Sequence, residues 1–147
     1  MKSLFGALLP VVLLLSCKKS SDSNGSNTAF TGQWKWVSTV WNVGPTNGTT
    51  TPPSSGLVTL TLNTDNTYVA ELNGAVKASG TYHIDNTGES GTAFQYTLRI
   101  SHDSITVAGL GICNNTFILA SPESLTIGTS LNPGANSLNS FVRYHAQ

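Results

Sequence analysis

The chain has 147 residues, of which only 10% are charged, with seven Lys/Arg balancing seven Asp/Glu. That balance supplies no basic stripe, so no nucleic-acid partner is expected, and the length suits one domain once a leader is removed. Thr, Ser, Asn and Gly fill the polar positions in place of Lys and Glu, a composition that favours strands and turns over helices.

Met1-Lys2 makes a positive start, and residues 4–15 form an apolar run broken only by Gly6 and Pro10. Such a run is too short to span a bilayer as a helix and has the layout of a secretory signal peptide. It closes on Leu14-Leu15-Ser16-Cys17, where a small residue is followed at once by cysteine. This resembles the lipobox of bacterial lipoproteins. The resemblance implies removal of residues 1–16 and palmitate-like acyl chains on Cys17, the lipid-attachment residue. The membrane is then a partner through that lipid, and two chains suffice for stable anchoring at about 0.8 kcal/mol per buried methylene. The expected home is the cell envelope, on the outer membrane, facing the periplasm or the surface. Residues 17–29 read as the lipidated N-terminus and a Ser/Asn/Gly tether with a reach of about 20 Å. Residues 30–147 are left as the folded domain.

Gly32-Gln33-Trp34 opens the first strand, with Trp34 and Trp36 on one face and Trp41 expected on the other. Residues 43–56 hold three prolines, four threonines and no large apolar residue after Val43, and read as one long irregular loop. Val58, Leu60 and Leu62 then alternate with Thr59, Thr61 and Asn63, and Tyr68, Ala70 and Leu72 alternate with Val69 and Glu71. Asn73-Gly74 is a strong hairpin signal because both residues tolerate positive φ. Val76, Ala78, Gly80, Tyr82 and Ile84 are expected on one face, and Phe94, Tyr96, Leu98 and Ile100 on the face of the next strand. Shorter segments follow at 104–107, 112–120, 124–130 and 140–145. No window of helical period carries caps. About eight or nine strands at this spacing read as an all-β antiparallel barrel or sandwich, and barrel closure would remove edges that few charges protect.

Four motifs narrow that reading: Gly32-Gln33-Trp34; Leu60-Thr61-Leu62 with Asp65-Asn66-Thr67-Tyr68; Gly80-Thr81-Tyr82; and Phe141-Val142-Arg143. Their order resembles the short lipocalin-like domains of bacterial lipoproteins. The resemblance implies an antiparallel lipocalin-like β-barrel of about eight strands. It also implies that Gly32, Trp34 and Arg143 close one barrel end, with the guanidinium over the indole. Larger lipocalins carry a helix before the last strand, and no such helix is legible here.

Little in the chain suggests chemistry. His83 and Asp85 are expected to share a solvent face, His102 and Asp103 to point apart, and His145 to be solvated. No three or four ligands converge in sequence for a metal, and no nucleophile elbow is present. Neither catalytic residues nor a metal or cofactor is therefore expected, and the chain reads as a non-enzyme. Once Cys17 carries lipid, Cys113 has no intramolecular partner and is expected as a structural thiol. Asp103-Ser104-Ile105 matches a loose glycosylation pattern. Three functional readings remain open, the third being an uncharacterised enzyme of the barrel type. In the first, the barrel takes a small apolar or amphipathic molecule against Val58, Leu60, Tyr68, Leu72, Tyr82, Phe94, Tyr96 and Leu98. In the second, those side chains fill the barrel, and the protein is an envelope adaptor acting through protein contacts, with Trp41 as an anchor or covered by the proline-rich loop.

Overall fold

The alternation of apolar and polar residues is realised as strands almost throughout. The computed structural model describes residues 27–86, 96–131 and 135–145. After a short 3-10 turn at Asn27–Ala29, within the expected tether, come β1 (Gly32–Val43), β2 (Thr46–Thr50), β3 (Val58–Leu62) and β4 (Thr67–Leu72). They are followed by β5 (Ala75–Asn86), β6 (Tyr96–Ile100), β7 (Ser104–Val107), β8 (Leu110–Cys113), β9 (Thr116–Ala120), β10 (Ser124–Leu131) and β11 (Ala135–Arg143). β1, β3, β4, β5, β6, β9, β10 and β11 pair in that order, and β11 returns to β1, closing an antiparallel eight-stranded barrel. Closure leaves no open edge along the paired part of the wall. β2 is a ninth strand beside the second half of β1, and β7 and β8 form a separate two-stranded hairpin.

The barrel ends differ in what arrives there. At one end, called the chain-entry end, lie Phe30, Gly32, the 63–66 turn, the 121–123 turn and Arg143. The β7–β8 hairpin and the β1–β2 turn lie towards the opposite end. β7 and β8 pack against β4, β5, β1, β10 and β11. Ile105, Val107, Leu110 and Ile112 of the hairpin are all buried in the core that the wall strands line. Full burial of each such side chain is worth about 1.5–3 kcal/mol.

Local chemistry explains where the strands depart from the sequence expectations. Residues 43–56 are not one loop. A two-residue turn at Gly44-Pro45, with Gly44 at φ 58°, folds the threonine run back as β2, registering Val43 with Thr46 and Trp41 with Gly48. β-Branched threonines suit an extended backbone, which the proline count alone obscured. The 112–120 segment divides at Asn114-Asn115, where Asn115 adopts a φ of 62° and the chain turns from β8 to β9. The last strand starts earlier than expected, at Ala135, and His145 lies beyond its end. The expected strand over 94–100 is described from Tyr96.

Two bulges reverse expected faces. Between Trp36 and Ser38 the register against β11 shifts by one, so Val37 is the extra residue. Trp41 therefore falls on the same side as Thr39, the inward side already used by Trp34 and Trp36, and not on the opposite face. It lies across Gly48, where an added Cβ would collide with the indole. The second bulge sits opposite Ala70 and Glu71, so Lys77 has no direct partner on β4. Val76 consequently turns away from the face of Ala78 and is 60% exposed.

Candidate functional site

The chain-entry end is assembled from one indole, one guanidinium and backbone carbonyls. Trp34 is fully buried, and its Nε1–H donates to the Phe30 carbonyl at 2.8 Å. The Arg143 guanidinium lies 3.7 Å from the centroid of a Trp34 ring. Its Nη1 donates to the Thr31 carbonyl at 2.6 Å and its Nε to the Pro122 carbonyl at 3.1 Å. The arginine thus ties the entering chain to the β9–β10 turn while covering the indole. Gly32 has φ 124°, and a Cβ there would collide with Arg143 Nη1. Only glycine fits that position. Phe30 is also buried and packs edge-on against Tyr96 at 5.1 Å between ring centroids.

The residues expected to line a ligand cavity face inward but belong to one packed core. Val58, Leu60, Tyr68, Tyr82 and Leu98 are each 0–4% exposed, and Leu72 and Tyr96 pack half-buried against the same cluster. Phe94, like Cys17, lies outside the described residues. Val58, Leu60, Tyr68 and Leu98 are at most 1% exposed, which leaves no water-sized space against those side chains. The hairpin contributes Ile105, Leu110 and Ile112 to this core at the same level of burial.

Polar atoms hold the hairpin in place. Trp36 Nε1–H donates to Thr39 Oγ1 at 3.1 Å, and that hydroxyl donates to Asn139 Oδ1 at 2.5 Å. Asn139 Nδ2 in turn donates 2.8 Å to the Gly111 carbonyl of β8. Asn139 is fully buried, so the relay satisfies groups that would otherwise be costly inside. Sequence reading missed Asn139, because a lone asparagine in a polar strand carries no signal.

Beside the hairpin, the rim of the barrel carries a second polar cluster. The Tyr68 hydroxyl lies 3.0 Å from His102 Nδ1, and Ser101 Oγ lies 3.2 Å from the same nitrogen. Thr81 N–H donates to Ser101 Oγ at 3.1 Å, and Ser101 N–H donates to the Thr81 carbonyl at 2.9 Å. Gly80 makes room for the cluster, since a Cβ there would collide with Ser101 Oγ and crowd Tyr68 and His102. Burial pushes the Tyr68 phenol above its ordinary pKa, with a smaller opposing effect from the Ser101 hydrogen bond. A depression of about 350 Å³ opens here, between residues 76–79 of β5 and the segment carrying His102 and Ser104.

The remaining candidates lie on the outside. His83 Nε2 and Asp85 Oδ1 are 3.0 Å apart on one outward face, and Arg99 Nη2 bonds the other oxygen of Asp85 at 2.5 Å. His145 and Glu123 are exposed and 4.0 Å apart. Cys113 is a half-buried free thiol. Among the described residues no group of three or more His, Cys, Asp or Glu is placed to hold a metal ion, and no helix is long and apolar enough to cross a membrane. Comparison with protein-family models, with curated proteins and with solved structures finds no match.

Proposed function

We propose that this protein is a lipid-anchored lipoprotein of the bacterial cell envelope, related to the lipocalin-like lipoproteins, whose barrel acts through its outer surface and rim. The observation that carries the reading is the filling of the barrel by its own β7–β8 hairpin, with Ile105, Leu110 and Ile112 packed among the wall residues. A small apolar ligand would have to displace that hairpin, exposing four aliphatic side chains at about 1.5–3 kcal/mol each. The Leu14-Leu15-Ser16-Cys17 run supports the anchor. Asn27 enters at the end capped by Trp34 and Arg143, so a lipid on Cys17 would hold that end towards the bilayer and present the hairpin end outward.

The outer wall supports an adaptor role. Val37, Val40, Leu138 and Val142 are each 40–46% exposed on β1 and β11, with Val40 directly opposite Leu138. Neighbouring exposed aliphatics of this kind mark contact surfaces more often than isolated ones do.

Native mass spectrometry of the protein extracted from its own membrane tests the reading. The expected species carries covalent acyl mass on Cys17 and no retained apolar molecule, and Cys17→Ser leaves the protein unlipidated and released from membranes. A stoichiometric apolar ligand that survives extraction would restore the cavity reading. Membrane association unchanged by Cys17→Ser would remove the anchor.

A further inference from the structure

The rim depression beside Gly80 is built like a site and plays no part in closing the barrel. Its lining divides by chemistry. Lys77, His102, Ser79 and Ser104 supply nitrogen and hydroxyl groups, while Ala78 on the inward face of β5 and Val76 on its outward face supply apolar surface along the strand edge. Among the described residues no carboxylate lines it. Asp103 lies between His102 and Ser104 in sequence but not in the lining, and Glu71 Oε2 accepts a hydrogen bond from Thr59 Oγ1 at 3.1 Å.

Three features place the donors. Lys77 is the bulged residue of β5, and a bulge re-aims a side chain out of the regular alternation. His102 is fixed through Nδ1 by the Tyr68 and Ser101 hydroxyls, which leaves Nε2 as the ring nitrogen available to an incoming group. Backbone geometry adds a further pair. Thr81 turns its N–H and C=O away from β4, and both are taken by Ser101. Ser79, two residues along the same edge, must turn its own N–H and C=O the same way, towards the depression.

We propose that this depression binds a carboxylate carried on a short apolar group, with the carboxylate between Lys77 and His102 and the apolar part against Ala78 at the strand edge. An ammonium and an imidazole N–H aimed at one anion make charge-assisted hydrogen bonds, the strongest neutral-pH contacts a shallow site offers. Two sources supply this chemistry: a free short-chain acid, or the C-terminus of another protein ending in an apolar residue. Tyr68 acts through His102 as a positioning residue. The site is independent of the lipid anchor and of whether the core is solid, so its failure would leave the proposed function standing.

The test is calorimetric titration of the full chain in lipid nanodiscs with 3-methylbutanoate, using 3-methylbutanamide as the neutral control of the same shape. An acetylated tripeptide ending in leucine, as free acid and as amide, forms the second arm. Each acid is expected to bind one-to-one and at least about tenfold more tightly than its amide. Lys77→Met and His102→Ala are each expected to weaken the acid about tenfold, Lys77→Met with an unchanged melting temperature, and Tyr68→Phe to weaken it several-fold. Binding of both acids identifies the carboxylate with its apolar group as sufficient, and binding of the peptide alone identifies a protein C-terminus as the source. Equal binding of acid and amide, no heat from either acid, or full affinity in Lys77→Met and His102→Ala would overturn the proposal.

Discussion

The two ends of this barrel are closed by different means. At the chain-entry end the closure is a stack of two side chains, the Trp34 indole under the Arg143 guanidinium, tied down by three hydrogen bonds to backbone carbonyls. At the opposite end it is a piece of the fold itself, the β7–β8 hairpin, which carries four aliphatic side chains inward and hangs from Asn139 by one polar relay. The first closure concentrates its energy in one aromatic residue. The second spreads it over a hairpin, so the rim around it is free to carry other groups.

That contrast can be broken from either side. The largest effect is expected from Trp34→Ala, which empties one of the two most voluminous buried positions and should cost about 3–5 kcal/mol in chemical denaturation. A smaller loss would mean that the chain-entry end is closed by the wall strands and not by the indole. Ile112→Ala follows, at about 2–5 kcal/mol, if the hairpin is core and not a lid. A loss under 1 kcal/mol would show a hairpin that lifts away.

The polar contacts sharpen the comparison further. Asn139→Ala leaves the buried Thr39 hydroxyl and Gly111 carbonyl without their partner and should cost about 1–3 kcal/mol. Arg143→Ala removes a half-buried cation from the indole face and should cost less, about 0.5–2 kcal/mol. The reverse order would place the tighter polar lock at the chain-entry end.

The smallest effect is expected in alkali. Tyr82 donates its hydroxyl to the Asn63 carbonyl at 2.7 Å, and burial, helped by the Asp65 charge, raises its pKa above 10.0. A folded-state pKa above the unfolded one means that the folded chain holds the proton more tightly. The associated stability is complete below about pH 10 and is lost as the pH rises through the raised value. Tyr68 shifts in the same direction through burial. Melting temperatures measured across that range should therefore fall with pH, and Tyr82→Phe should fall less steeply. Parallel slopes in the two proteins would assign the alkaline loss elsewhere.

Legibility in the sequence followed the same division. Period-two alternation placed β3, β4 and β10 within a residue or so, because each keeps its large apolar side chains on one inward face. The chain-entry closure was legible only through what the resemblance implies for Gly32-Gln33-Trp34 and Arg143. What alternation could not carry were the two bulges, which add one residue to a strand and so move Trp41 inward and Val76 outward. Nor could it assign the 104–113 hairpin to the interior, since Ile105, Val107, Leu110 and Ile112 alternate like any wall strand. The rim cluster was hidden for a different reason. Tyr68, Lys77, Gly80 and His102 are brought together only by the pairing of β4 with β5 and the departure of the chain after β6.

The central claim is that the barrel interior is occupied by the protein's own hairpin. Crystals of the full chain pressurised with xenon test it most directly, because xenon enters dry apolar cavities of even modest size. The account predicts no xenon among Val58, Leu60, Tyr68 and Leu98, where burial leaves no water-sized space. An ordered xenon atom bounded by those four side chains would contradict it.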